Sequence, residues 1–436
     1  MIMAKWFTTV RGMGKDSELV REAGVGVELE ASVTDILANR ATATLRTRHG
    51  ALMSYLGWAQ SQGIAPWPTA EAKTYKFLQH LKQKQAPATK AGSVLKALSF
   101  AAHLFGMEGG SRRIKSERVR GAAWAMFATK GVAQGRSPFT VGQLRLLQAT
   151  VLADHAEEVD RLMAGLTCLL VSCRLRYFDA QRSTLEPVMD LDSSGMGYVE
   201  VAMRATKTTN TPRLKHAEKV GVGHVQGVNG ENWVKPWLEV RKKAGINAAQ
   251  CKCLMPAPNG KGGYFQRRLR SDELLKWMKV FFQRSGAEGP PKQKLGTHSS
   301  KVTLLTWAGK FGLPKGDRRT LGYHMKAKDV VVNLYSRDAQ AAPLRRLAKV
   351  EHAVRVGTFF PDETRSGRFK EVTKSEVKDV KYILATIYDK VHLRREATDV
   401  SKCGRARIHG HSFKSFAEFP SKFAKSKCKA CFKEEE

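Results

Sequence analysis

The chain has 436 residues, enough for two or three domains with their own cores, and 42% of these residues are apolar, which excludes a wholly disordered protein. Its 74 Lys and Arg outnumber its 40 Asp and Glu, giving a formal charge of +34 that is spread along the whole length. Such an excess attracts a polyanion, so the first predicted partner is nucleic acid. We expect no membrane association and no secretion, because there is neither an apolar run of about 18 residues nor a signal-peptide core. Seven cysteines, an odd number, indicate a reducing compartment.

The first part of the chain predicts a small basic helical domain. Residues 1–35 are rich in Gly and charge and are read as an irregular leader. Residues 36–130 contain four apolar stripes at helical spacing, which predict four short helices with Lys and Arg on their outer faces. A Gly-containing stretch at 128–137 is read as a linker.

The second part, residues 137–358, predicts a mostly helical domain with one small antiparallel sheet. It opens on a capping-box pattern at Thr140, followed by a strongly apolar helix over 162–173. Residues 198–205 then alternate with period two, as a strand does. Further helices are predicted at Trp233–Lys243, Asp272–Phe282, His298–Phe311 and Val330–Arg337. Residues 359–436 form a Lys-rich extension.

Three segments place reactive residue types where helices begin or end. Ser172 to Asp179 closes the apolar helix and contains Arg176; Thr297 to Lys301 opens a helix with His298 and Lys301 on one face; Leu321-Gly322-Tyr323-His324 precedes Tyr335. Each has an ordinary structural interpretation. Charged residues after a buried helix return the chain to solvent, polar turns start many helices, and a Tyr among apolar residues is usually part of a core.

In this order, the segments resemble the tyrosine recombinase (phage integrase) family, and most closely the recombinases of DIRS-type retrotransposons and related eukaryotic mobile elements. The first family motif is Arg-x-x-acid, here Arg176 to Asp179; its lysine follows the strand, here Lys207. The second motif is His-x-x-Arg, here His298 to Lys301, and a Leu-Gly-x-His turn leads to the tyrosine. The resemblance covers residues 36–358, with 36–130 similar to the family's helical core-binding (SAM-like) domain.

The resemblance implies DNA strand cleavage and rejoining through a 3′-phosphotyrosyl intermediate, without metal or ATP. Tyr335 would be the nucleophile and Lys207 the proton donor to the leaving 5′ oxygen. His298 would be an acid–base or positioning partner of Tyr335. Arg176, Lys301 and His324 would stabilise the charge of the pentavalent phosphate. Double-stranded DNA is the implied partner, bound by a homo-oligomer on paired sites, in the nucleus if the host is eukaryotic.

The sequence departs from the family pattern at Lys301, which replaces an arginine. Lysine lacks the planar fork that grips two phosphate oxygens at once. Either Arg318 or Arg319 reaches the site instead, or stabilisation is weaker, or the protein is a degenerate duplex-DNA-binding copy. Tyr323 is an alternative to His324 in the turn, but we favour His324 because a tyrosine there is expected to pack.

Other functions and sites stay open at this stage. A type IB topoisomerase uses a similar residue set, whereas an RNA-binding protein would need a recognisable RNA-binding signature, which we do not find. The tail holds weak candidates for zinc ligands, with free thiols as the favoured interpretation; these candidates are Cys403, His409, His411, Cys428 and Cys431. Cys251 and Cys253 have poor spacing for a chelate.

Overall fold

The computed structural model describes residues 2–107, 114, 116–131, 135–203, 219–323 and 339–370, together with the strands at 382–385, 390–393 and 413–416. The chain divides into two compact units, residues 1–134 and 135–436. The division falls inside the stretch 128–137 that the sequence marks as a linker.

The first unit is entirely helical in its described part. Its helices are α1 (Ile2–Arg11), α2 (Glu18–Ala23), α3 (Val27–Ala38), α4 (Thr42–Ser61), α5 (Glu71–Gln83), α6 (Lys90–Leu104) and α7 (Glu117–Ala128). Helices α4 to α7 correspond to the four predicted from apolar spacing. Ser116 caps α7, accepting a hydrogen bond from the Val119 amide.

The prediction of an irregular leader over 1–35 was wrong. Trp6 and Val10 form an apolar stripe on α1, and Leu29 and Val33 form another on α3, at the four-residue spacing that faces one side of a helix. All four side chains are buried in the same core as α4 to α7. The indole Nε1 of Trp6 also donates to the Leu45 carbonyl at 3.2 Å. These helices are therefore an integral part of the first unit.

The second unit is built around one long apolar helix. Its described helices are α8 (Val141–Leu152), α9 (Glu158–Ser172), α10 (Tyr177–Ala180), α11 (Val234–Lys243), α12 (Ala248–Cys251), α13 (Ser271–Arg284), α14 (Thr297–Phe311), α15 (Lys315–Leu321) and α16 (Ala341–Arg355). In α9, every residue from Leu162 to Ser172 is buried, so this helix lies in the core. Gly165 lets α11 approach, because a Cβ there would lie 2.0 Å from the Trp237 ring. Thr140 and Gln143 form the predicted capping box at the start of α8.

The strands of this unit form small antiparallel sheets. One sheet has the order β1 (Val188–Leu191), β2 (Gly197–Met203), β3 (Lys219–His224), and a second is the pair β4 (Pro256–Pro258) and β5 (Tyr264–Arg268). A third pairs β6 (Phe359–Phe360) with β7 (Arg368–Phe369), and a fourth has the order β10 (Phe413–Phe416), β8 (Tyr382–Ala385), β9 (Lys390–Leu393). The predicted fold class, mainly α with a small antiparallel sheet, is confirmed, and there are more such sheets than the one predicted.

Packing of the second unit continues past residue 358. Phe359 is buried, and its ring centroid lies 5.1 Å from that of Phe311 on α14 and 4.8 Å from that of Phe369 on β7. The basic extension therefore begins later than predicted, after the β6–β7 hairpin. Within the described residues, no helix is both long and apolar enough to cross a membrane.

Candidate active site

Arg176 lies at the junction between the buried helix α9 and the short helix α10. It occupies the N-cap position of α10, and its Nη1 is 3.5 Å from Oδ2 of Asp179 one turn later. The Asp179 carboxylate is largely buried, whereas the Arg176 side chain is 35% exposed. A buried carboxylate thus orients a guanidinium that remains accessible from solvent.

His298 and Lys301 lie in the first turns of α14, as predicted, but they face different surroundings. His298 is exposed, whereas Lys301 is only 3% exposed. The Lys301 ammonium donates to the Gly322 carbonyl at 2.8 Å and lies 5.7 Å from the centroid of the Tyr323 ring. Lys301 therefore attaches α14 to the Leu321-Gly322-Tyr323 turn. The sequence prediction gave it only a phosphate-facing role.

The electrostatics of His298 bring two predicted segments together. Although the side chain is exposed, the protein around it removes part of its hydration, which lowers the pKa of the imidazole, and the nearby positive charges of Lys301, Arg176 and Arg136 lower it further. Because Coulomb effects of this kind act over short range, Arg176 lies in the same electrostatic neighbourhood as His298. A lowered pKa keeps His298 neutral near pH 7 and able to accept a proton.

Arg136 is a residue of this neighbourhood that the sequence analysis missed. Its Nη1 donates to the Leu295 carbonyl at 3.3 Å, and its Nε lies 3.0 Å from where a Cβ on Gly296 would be. No sequence motif includes Arg136, because it lies about 160 residues before His298 and only the fold brings the two residues together. The sequence analysis placed it inside the linker 128–137, whereas in the structure it belongs to the start of the second unit.

A second missed residue, Arg174, holds the turn before His324 in place. Its backbone has φ +52°, and its guanidinium is fully buried. The guanidinium donates to the carbonyls of Leu321 at 3.0 Å, Val222 at 2.8 Å and Ser172 at 2.5 Å. A buried charge is tolerated only when it is hydrogen-bonded in this way. Arg174 therefore joins the end of α9, strand β3 and the end of α15.

Tyr323 reinforces the same connection. Its hydroxyl donates to the Cys173 carbonyl at 2.7 Å and accepts from the Val222 amide at 3.2 Å. Burial raises its pKa to about 12. Tyr323 therefore packs against the core and has both hydroxyl contacts within the protein, while the choice of His324 as the functional residue of the turn stays a prediction.

Lys207, His324 and Tyr335 lie outside the described residues, but the chain on either side of them is described. Lys207 falls between β2 and β3. His324 and Tyr335 fall between Tyr323, which is bonded to Val222 of β3, and Gln340, whose side-chain amide donates to the Val220 carbonyl at 3.3 Å. The described ends of both segments therefore meet at strand β3. Arg174, two residues before Arg176, bonds to the same strand.

Arg318 does not replace the missing second-motif arginine. Its Nε donates to the Leu313 carbonyl at 3.1 Å, and its Nη1 lies 3.2 Å from a Cβ built on Gly309. These contacts are at the carboxyl end of α14, roughly 12 Å along the helix axis from Lys301 at 1.5 Å per residue. Arg319 is exposed on α15, and no contact of it with the site is seen among the described residues.

The candidate zinc ligands Cys403, His409, His411, Cys428 and Cys431 lie outside the described residues. Among the residues that the structure describes, no three His, Cys, Asp or Glu side chains gather as a metal site. The described cysteines are free thiols, and burial raises the pKa of Cys253 to about 11. A thiol held in its protonated form is a poor metal ligand.

Comparison with known proteins gives similarity to solved structures only. No family profile matches the chain, and no curated protein matches it. A fragment of the Tn1549 transposon integrase in complex with transposon right end DNA is 14% identical, with a TM-score of 0.38, covering 80% of this chain and 99% of that one. The XerH site-specific recombinase bound to difH substrate is 12% identical, with a TM-score of 0.37, covering 77% of this chain and 94% of that one. Similarity at this level assigns neither a function nor a role to any residue.

Proposed function

We propose that this chain is a site-specific DNA-breaking and DNA-joining enzyme of the tyrosine recombinase type, with Tyr335 as its nucleophile. One observation carries the proposal. Arg176 and His298, from segments about 120 residues apart in sequence, share one cationic neighbourhood next to the turn that leads to His324 and Tyr335. Only four residues lie between Tyr335 and Gln340, and a chain spans at most about 3.5 Å per residue, so the tether to strand β3 is short.

The charge of the first unit supports duplex DNA as the partner. From α4 to the end of the unit, residues 42–134 contain 14 Lys and Arg but only 3 Asp and Glu. Several of these cations are exposed on the helices or directly after one: Arg46, Lys76, Lys82, Lys84, Lys96 and Arg120. Cations on helix surfaces neutralise backbone phosphates, and this role requires no particular base sequence.

The proposed chemistry exchanges one phosphate ester for another. The Tyr335 oxygen bonds to phosphorus while the bond from phosphorus to the 5′ oxygen breaks, His298 takes the tyrosine proton, and Lys207 supplies a proton to the 5′ oxygen. Arg176 and His324 donate hydrogen bonds to the non-bridging oxygens. Lys301 contributes its charge and holds Gly322, since the bond to this carbonyl occupies one of its three donors. Rejoining reverses these steps, so no ATP is consumed.

The finer parts of the proposal come from the resemblance of the sequence motifs. The DIRS-type similarity suggests service to a mobile element in a eukaryotic nucleus. Recombination between two sites requires that several copies assemble on paired DNA, so we also propose a homo-oligomer. Sequencing the DNA that flanks the gene for a reverse transcriptase and for split or inverted repeats tests the mobile-element part.

The experiment that tests the activity traps the covalent intermediate. The protein is incubated with a library of nicked duplexes of randomised sequence, in which cleavage releases a short fragment and prevents rejoining. We expect a covalent adduct with wild type, none with Tyr335→Phe, which lacks the attacking oxygen, and an unchanged amount with the control Tyr198→Phe. Equal trapping by Tyr335→Phe would show that Tyr335 is not the nucleophile.

A second candidate function is duplex binding without catalysis. The position of Lys301 favours it, because an ammonium bonded to Gly322 is less available to a phosphate than a surface arginine fork. Salt-dependent duplex binding by wild type with no adduct from any library member would establish this alternative. Relaxation of a supercoiled plasmid without recombination between two sites would instead identify a topoisomerase-like activity.

A further inference from the structure

Arg136 is held at the surface of the second unit by backbone contacts on both sides. Arg136 itself donates to the Leu295 carbonyl. The next residue, Ser137, forms two hydrogen bonds with Lys294: its amide donates to the Lys294 carbonyl at 3.1 Å, and its Oγ accepts from the Lys294 amide at 3.0 Å. Gly296 leaves room for the guanidinium, since any larger side chain would place a Cβ 3.0 Å from its Nε. Arg136 is therefore seated directly before the first turn of α14, although its side chain is exposed.

The charges around this position are unbalanced. Every charge that shifts the pKa of His298 is positive, and these charges belong to Lys301, Arg176 and Arg136. The Asp179 carboxylate is already paired with Arg176. Within the part of the chain that the structure describes, no carboxylate forms an ion pair with Arg136. Because Arg136 is exposed and carries a positive charge without such a pair, it attracts an anion from solution.

We infer that Arg136 is a further phosphate-binding residue of the active site, gripping a DNA backbone phosphate beside His298 and Arg176. This inference rests on the proposed function and extends it to a residue outside the family motifs. A guanidinium suits the task, because its planar fork binds two oxygens of one phosphate. It uses one N–H on Leu295 and keeps others for the ligand. Arg136 in this way supplies the fork that Lys301 cannot.

The test compares three substitutions in the full-length protein. Arg136→Ala removes the charge, Arg136→Lys keeps the charge but removes the fork, and Arg365→Ala is the control. Arg365 is exposed in the β6–β7 turn next to Thr364, whose carbonyl accepts from Lys310. Lys310 lies near the carboxyl end of α14, about 18 Å along the helix from His298. The control therefore removes the same charge at a distance from the cluster.

The first readout is the pKa of His298, which is measured by NMR titration of the protein without DNA. Removing a neighbouring cation makes the imidazolium easier to form, so Arg136→Ala raises this pKa toward its ordinary value. Arg136→Lys and Arg365→Ala leave it lowered. An unchanged pKa in Arg136→Ala would show that the guanidinium does not act on His298 and would overturn the inference.

The second readout is the salt dependence of binding to a random-sequence duplex. Each lost phosphate contact reduces the slope of log K against log salt by about 0.9. We expect that reduction of the slope for Arg136→Ala, and an unchanged slope for Arg136→Lys and Arg365→Ala. At a fixed salt concentration, Arg136→Lys should still weaken binding about tenfold, because it loses the planar fork. A slope for Arg136→Ala equal to that of wild type would refute the phosphate contact. Neither readout requires cleavage, so both stand if Tyr335 proves not to be the nucleophile.

Discussion

The hydroxyl of Tyr323 is expected to stabilise the turn that precedes the proposed nucleophile. Tyr323→Phe keeps the ring but removes the donor to Cys173 and the acceptor for the Val222 amide. A buried polar group left without a partner costs about 1–3 kcal/mol. Both contacts are only partly buried, so the low end of that range applies to each. The free energy of unfolding of the second unit should therefore fall by about 2 kcal/mol.

The assay measures urea unfolding of the second unit together with native-state hydrogen exchange at the Val222 amide. Tyr198→Phe is the matched control. Tyr198 lies on β2, in the sheet that Tyr323 contacts, and is also half-buried, but its hydroxyl has no hydrogen bond among the described residues. We expect a shift of less than about 0.5 kcal/mol for this control. Because the chain has two units, their transitions are analysed separately. Equal destabilisation by the two variants, or an unchanged exchange rate at Val222, would refute the role given to Tyr323.

Three further predictions concern the first unit and the chemistry. Trp6→Ala should lower the free energy of unfolding of the helical unit by about 3–5 kcal/mol, because it removes a fully buried side chain. The control Val27→Ala, at a side chain that is 86% exposed, should change it by less than about 0.5 kcal/mol. Comparable urea midpoints for the two variants would contradict the packing of α1. Burial raises the pKa of Tyr55 from 10.0 to about 12, because the folded protein favours the neutral phenol. The stability that the neutral phenol contributes is therefore fully present below pH 10 and is lost as the pH rises to about 12. Tyr55→Phe should reduce the loss of stability between pH 9 and 12 in urea titrations, and an unaltered pH profile would count against it. Covalent trapping should proceed equally in EDTA, because side chains alone supply the nucleophile and the protons; loss of adduct on chelation would require a metal in the mechanism.

Much of the fold could be predicted because apolar spacing reports which face of a helix is buried. The stripes of α4 to α7 and the apolar run of α9 gave helices close to the observed bounds. The leader was misread because its glycines and charges outweighed the two short stripes on α1 and α3. Those stripes have the same spacing as the correctly predicted ones, so the signal was present in the sequence.

The site was predictable only where a motif fixed the spacing. Arg176 and Asp179 are three residues apart, and this spacing brings their side chains together. The same spacing placed His298 and Lys301 in the first turns of α14, but not the different surroundings that the two side chains have. Burial of Lys301 was not predictable, because it depends on where Gly322 lies in the folded chain. Arg136 and Arg174 were missed for a similar reason: their partners are distant in sequence, and only the tertiary structure brings them together.

The most direct test of the central proposal is to locate the DNA on the protein after trapping. The wild-type adduct from the nicked-duplex library is digested with protease and nuclease, and the peptide that carries the residual nucleotide is sequenced by mass spectrometry. We predict attachment through a 3′-phosphate to Tyr335 in the segment Leu334-Tyr335-Ser336. Attachment to another residue, Tyr323 included, or a 5′-phosphate linkage would contradict it.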